Sequence, residues 1–261
     1  MPSVKFTRTS DGVSIAYQVF GEGPAAIWPS AYWASNLTSQ WARASYRDSM
    51  EMLARSVTLF RYDGRGSGLS QREPYDFSLD ARVADLEAVA DQAGPGPLAM
   101  IALGHACLGA IAFAARYPER VSRLVLRAPY PRGSELYEVS PAMKLVASLH
   151  DVTVEQWEFV TLTIAQRMLG HDSLEVAEVA ETFRASMTPD GMLAFREATR
   201  RIDVSGMLAN IRAPTLVFHD DEDAFTPLRI SQEVAAAIPE AELRITRRGS
   251  SALSIEEIAA I

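Results

Sequence analysis

Residues 98–116 read Leu98-Ala-Met-Ile-Ala-Leu-Gly-His-Ala-Cys-Leu-Gly-Ala-Ile-Ala-Phe-Ala-Ala-Arg116, and this stretch decides the fold. The apolar run Leu98–Leu103 has the length of a buried strand. Gly104-His105 interrupts it, and from Leu108 to Arg116 small and apolar residues continue as a helix. Taken whole, Pro97 to Ala115 could pass for a membrane span. Gly104, His105 and Gly109 break it, and a strand, a tight turn and a small-residue helix describe it better.

The same alternation extends in both directions. Upstream, Val13 to Val19, Ala25 to Trp28 and Ser56 to Tyr62 read as strands, the first two separated by the turn Gly21-Glu-Gly-Pro24. Leu79 to Ala93 places Leu79, Val83, Leu86 and Ala90 at helical spacing, and Val121 to Arg127 is another strand. From 131 to 210 the pattern changes to helices alone, over Met143 to Leu149, Val154 to Leu169, Leu174 to Met187 and Pro189 to Arg200. Strand Thr215 to His219, a helix around Ile230 to Ala237 and strand Glu242 to Arg247 follow. Strands alternating with helices imply a mostly parallel central sheet flanked by helices. The expected organisation is an α/β core formed by 1–130 and 211–261, with 131–210 as a helical cap.

Composition bounds the function. The 261 residues carry a net charge of -8, with 48% apolar and 22% charged residues. That is ordinary for a globular chain, and the acidic balance argues against a nucleic-acid partner, which needs a basic face. The single Cys107 cannot form an intramolecular disulfide and fits a reducing cytoplasm. No apolar leader opens the chain, so neither a secretory signal nor a membrane anchor is expected. The acids Asp220, Asp221, Glu222 and Asp223 are near-consecutive and lack the spacing of metal ligands. No cofactor is expected, and a homo-oligomer is left open.

Three motifs follow one another in a fixed order. They are Arg61-Tyr-Asp-Gly-Arg-Gly-Ser-Gly-Leu-Ser70, Ala114-Ala-Arg-Tyr-Pro-Glu-Arg-Val121, and Ala213-Pro-Thr-Leu-Val-Phe-His219 with Asp223 and Pro227 beyond it. As an ordered set spanning nearly the whole chain, they resemble the α/β-hydrolase superfamily, in its capped, epoxide-hydrolase or esterase-like branch. The resemblance implies a serine on a sharp strand-to-helix turn, an acid after a later strand, and a histidine after the last one. Here the serine is missing. One register, read from Gly104-His105-Ala106, puts Ala106 in its place. The other, counted back from Arg116-Tyr117-Pro118, puts Gly104 there with Ala102 and Ala106 as small neighbours, and it is preferred. Asp223 matches the acid. Ser251 stands where the histidine belongs and cannot serve as a base near neutral pH, so a Ser-His-Asp cycle is unavailable.

The candidate site follows from these positions. His105, with an ordinary pKa suited to proton transfer, and Asp223 are the candidate catalytic groups. Ala31, Tyr32, Trp33, Gly104 and Ser251 are candidates for lining the substrate site, and backbone N–H groups of Ala31 and His105 would be its oxyanion donors. Cys107 reads as buried packing, Asp63 and Arg65 as loop-stabilising residues, and Trp157 and Phe159 as cap packing. Three functions are consistent with this set. The first is a non-hydrolytic enzyme (cyclisation, elimination, isomerisation or another proton transfer) acting on a small hydrophobic metabolite. The second is a non-catalytic pseudo-hydrolase that binds a small ligand or a protein partner, and the third is a hydrolase using non-standard residues.

Overall fold

A computed structural model describes residues 1–147 and 154–246. Eight strands form one sheet: β1 (Lys5–Arg8), β2 (Ser14–Phe20), β3 (Ala25–Trp28), β4 (Thr58–Tyr62), β5 (Leu98–Leu103), β6 (Val121–Arg127), β7 (Thr215–Asp220) and β8 (Glu242–Thr246). Their order is β1-β2-β4-β3-β5-β6-β7-β8. Only β2 runs antiparallel to its neighbours β1 and β4, and every pairing from β4 to β8 is parallel. The expected mostly parallel sheet with flanking helices is therefore present.

Alternation along the strands explains the layers, because successive side chains leave a strand on opposite faces. Met100, Leu124, Leu126 and Val217 face a large core shared with α3 (Leu79–Ala90), α4 (Ala106–Arg116) and α10 (Leu228–Ala237). Ile101, Val125, Leu216 and Phe218 face the other way, onto Trp41 of α1 (Leu37–Ala42) and Met50 and Leu53 of α2 (Ala44–Leu53). Helix α4 begins at Ala106, two residues earlier than its sequence suggests.

Between β6 and β7 lie α5 (Gly133–Val139), α6 (Pro141–Ala147), α7 (Val154–Leu169), α8 (Val176–Ser186) and α9 (Pro189–Arg201), then a 3-10 turn at Ser205–Asn210. No ladder strand interrupts them among the described residues. Only an isolated bridge joins Arg132 to Asp203. The end of α8 is tied to the rest of the fold through its last carbonyls. Ser186 O accepts from the Gly68 N–H at 2.9 Å and from Arg72 at 2.8 Å, while Ala185 O accepts from Arg72 and Asn36. Such bonds satisfy carbonyls that a helix end leaves open. Phe159, expected to pack this segment inward, is instead 72% exposed on the outer face of α7, whereas Trp157 is buried.

The glycine-rich loop after β4 is held by charge. Asp63 is buried, and its Oδ2 accepts the N–H groups of Leu37 and Leu69. Burial pushes its carboxyl up to about 6, against the opposing pull of those two bonds. Arg65 binds Asp85 of α3 at 2.8 Å and Asp11 at 2.6 Å. These residues do stabilise the loop, as their sequence setting suggests.

Candidate functional site

The turn from β5 into α4 is made by Gly104, whose φ of +50° lies in the left-handed region. Ala106 is already helical, so the sharp bend falls on Gly104. A Cβ built on Gly104 would meet no atom within 4 Å. The position has room for a side chain and carries none.

His105 follows directly and is 8% exposed. Its ring lies 5.9 Å from Trp33, 5.6 Å from Tyr130 and 5.2 Å from Phe195, centroid to centroid, each contact close to edge-on. Its Nδ1 hydrogen-bonds the Tyr130 hydroxyl. Phe183 of α8 closes on Trp33 at 4.8 Å. The imidazole thus sits in a box of aromatic side chains supplied by the β3 loop, the segment after β6, and α8 and α9. Burial, assisted by the nearby Arg82 charge, lowers the His105 pKa to about 3. This corrects the expectation of an ordinary pKa: at neutral pH the imidazole is uncharged and a weak base. The Tyr130 hydroxyl is shifted the other way, well above its usual value, chiefly by burial, and keeps its proton.

Tyr32 and Trp33 both belong to this cluster but differ in role. Trp33 touches the imidazole, whereas Tyr32 turns down into the core. Its φ of +57° is unusual for a residue with a side chain and costs about 1–2 kcal/mol. The Tyr32 N–H is received by Ser30 Oγ at 3.0 Å, and its ring fills the space over Gly64, where a Cβ would come within 2.5 Å of it. Packing against Phe77 and Phe195 offsets the strain. The Tyr32 hydroxyl is buried with no hydrogen-bond partner among the described residues. The backbone N–H groups of Ala31 and His105 also find no acceptor there, which leaves both expected oxyanion donors open.

Asp223 sits on the turn after β7. Its Oδ1 accepts the N–H groups of Phe225 at 2.9 Å and Thr226 at 2.6 Å, so it shapes the turn leading to α10. No hydrogen bond or ion pair joins it to His105 among the described residues. The structure brings His105, Trp33 and Gly104 together at the head of α4 and places Asp223 in a separate turn. Ser251 lies outside the described residues. Cys107 is fully buried, its thiol directed at Ala102 O and its pKa raised by burial, which fits packing. No group of acids, histidines and cysteine suited to a metal occurs among the described residues.

Sequence reasoning missed Tyr130, Phe195 and Arg82. Tyr130 follows the β6 strand, past Ala128 with its positive φ of 47°. Phe195 lies one turn from Met192 and Thr199 on the buried face of α9. Arg82 stands three residues after Leu79 and four before Leu86, which is the spacing of the buried stripe of α3. That spacing was the available signal, masked by the usual preference of arginine for water.

Comparison with known proteins agrees with this architecture. The chain is 26% identical over 219 residues to a putative carbamate hydrolase RutD of Pseudomonas savastanoi, covering 81% of this chain and 83% of that protein. It is 28% identical over 232 residues to a proline iminopeptidase of Neisseria gonorrhoeae, covering 73% of each. A hydrolase of Pseudomonas aeruginosa superposes with a TM-score of 0.81 at 22% identity, covering 99% of this chain and 96% of that one. An enol-lactonase of Burkholderia xenovorans superposes at 0.76, covering 98% and 96%. At these identities the structural likeness is one of fold. Among the described residues no helix is long and apolar enough to cross a membrane. With residues 44–248 matching its sequence pattern and the sheet order as described, the chain belongs to the serine aminopeptidase, S33 family of α/β-hydrolase-fold enzymes.

Proposed function

We propose that this protein carries out a non-hydrolytic conversion of a small, mainly hydrophobic molecule in the space between the sheet edge and a cap formed by α5–α9. The observation that supports it is Gly104 at the strained bend: the position where a hydrolase of this fold holds its nucleophile bears no side chain. Without a hydroxyl or thiol there, no acyl-enzyme can form at that atom, and Cys107 is buried away from it. An aromatic box with few polar groups suits an apolar ligand, and those polar groups fix its orientation.

His105 supplies the reactive hydrogen bond in this reading. When Tyr130 donates to Nδ1, the neutral imidazole carries its proton on Nε2, which has no partner among the described residues. Such an N–H can polarise a ligand carbonyl without full proton transfer, which serves enolisation, isomerisation or elimination. Asp223, on the turn after β7, is the second candidate group in this reading. The low basicity of His105 favours a second reading, a ligand-binding protein without turnover.

p-Nitrophenyl butyrate, incubated with the purified protein, decides the main point. No hydrolysis above the buffer rate is expected, and turnover that co-purifies with the protein would overturn the non-hydrolytic reading. Once a substrate is found, His105→Ala that stops conversion while sparing affinity supports catalysis. Unchanged conversion removes His105 from it.

A further inference from the structure

Arg82 is 1% exposed and meets no carboxylate among the described residues. Its Nε donates to Phe77 O at 3.0 Å and its Nη2 to Thr199 Oγ1 of α9 at 2.6 Å. Its Nη1 is buried with no partner there at all. The guanidinium lies over two ring faces, Phe195 at 4.6 Å and Tyr32 at 5.1 Å. A buried charge is costly unless it is paired and hydrogen-bonded. Ring faces and two neutral acceptors recover part of that cost, and Nη1 has no acceptor among the described residues.

The location makes this unpaired donor informative. Arg82 leaves α3 beside the second turn of α4, where a Cβ on Gly109 would come within 3.6 Å of Arg82 Cβ, and it ends on α9. It spans from the sheet-flanking helices to the helical segment above. Phe195, under its guanidinium, is also a wall of the His105 box. The Arg82 charge reaches His105, Tyr130 and Tyr137 alike.

We infer that Arg82 is an anion-recognising residue of this site, and that the ligand carries a carboxylate attached to an apolar or aromatic body. The carboxylate completes the hydrogen bonding of Nη1 and neutralises the buried guanidinium, while the body packs in the box of Trp33, Phe183, Phe195 and His105. Arginine suits this role because its planar fork matches a carboxylate and stays charged when buried. The inference deepens the proposed function and rests on its reading of this region as a small-molecule site.

Isothermal titration of the full-length protein with sodium benzoate and, separately, with benzamide tests it. The two differ in charge and hardly in shape. Wild-type protein is expected to prefer benzoate by at least about tenfold, the scale of one hydrogen bond to a charged group. Arg82→Gln should bind both equally. Arg82→Lys, which keeps the charge and loses the fork, should retain the preference at reduced benzoate affinity. Equal affinities in the wild type, no benzoate binding, or a preference that survives in Arg82→Gln would each overturn the inference. The wild-type comparison stands even if a variant fails to fold. Ester hydrolysis would defeat the proposed function and leave the benzoate preference intact. Equal binding would defeat the anion inference alone.

Discussion

Helix α3 serves two buried arginines in opposite ways. Arg65, 2% exposed, meets the fully buried Asp85 of this helix and reaches Asp11 beyond it. Arg82, three residues earlier than Asp85 on the same helix, is just as buried and meets a carbonyl, a hydroxyl and two aromatic faces. The first arginine is complete within the fold and locks the loop after β4. The second is left one partner short beside the aromatic box. The completed charge of Arg65 serves the structure, and the donor that Arg82 leaves unpaired is the one inferred above to meet a ligand carboxylate.

That contrast can be broken from the complete side first. Asp85→Asn leaves Arg65 without its fully buried carboxylate, and urea unfolding should show a loss of about 3–5 kcal/mol, the largest effect of the set. A loss near zero would mean that the two arginines are not different after all.

Acid sharpens the contrast next, by adding a second cation near Arg82. The folded-state pKa of His105 is lowered to about 3 from an unfolded value of 6.5. Its stability contribution is therefore present above pH 6.5 and is lost as pH falls toward 3. Between pH 7 and 4.5 the wild type should lose about 2–3 kcal/mol more than His105→Gln, measured by thermal or urea unfolding at each pH.

Smaller effects belong to Arg82 itself. Thr199→Val removes one of its two acceptors and should cost about 2 kcal/mol of stability. Arg82→Met removes the uncompensated charge with most of the shape kept. Its unfolding free energy should stay within about 1 kcal/mol of the wild type, because loss of the desolvation penalty offsets loss of the bonds. A cost as large as that of Asp85→Asn would make Arg82 a second structural lock.

The fold was legible wherever a period or a turn residue dominated. Leu98–Leu103 and Val121–Arg127 were bounded correctly because short apolar runs end at Gly104 and at a polar edge. The helical segment between β6 and β7 was legible from its 3.6-residue stripes. The strand Lys5–Arg8 and the helices Leu37–Ala42 and Ala44–Leu53 were not. Lys5–Arg8 is a polar edge strand, and Ala44–Leu53 buries only Met50 and Leu53, so neither shows a clear apolar pattern.

The site was half legible. The place of Gly104 at the bend could be read by counting back from Arg116-Tyr117-Pro118, and its positive φ came only with the structure. The place of His105 at the head of α4 could be read, but not its pKa, since the burial that sets it comes from Phe195, Trp33 and Tyr130, distant in sequence. Arg82 carried a spacing signal that its chemistry concealed.

NMR observation of the His105 ring during a pH titration tests most directly whether the head of α4 holds a neutral, buried imidazole near the Arg82 charge. The ring should stay neutral through pH 5 and resist protonation toward a pKa of about 3. Titration near 6.5, the value of an imidazole in water, would contradict it.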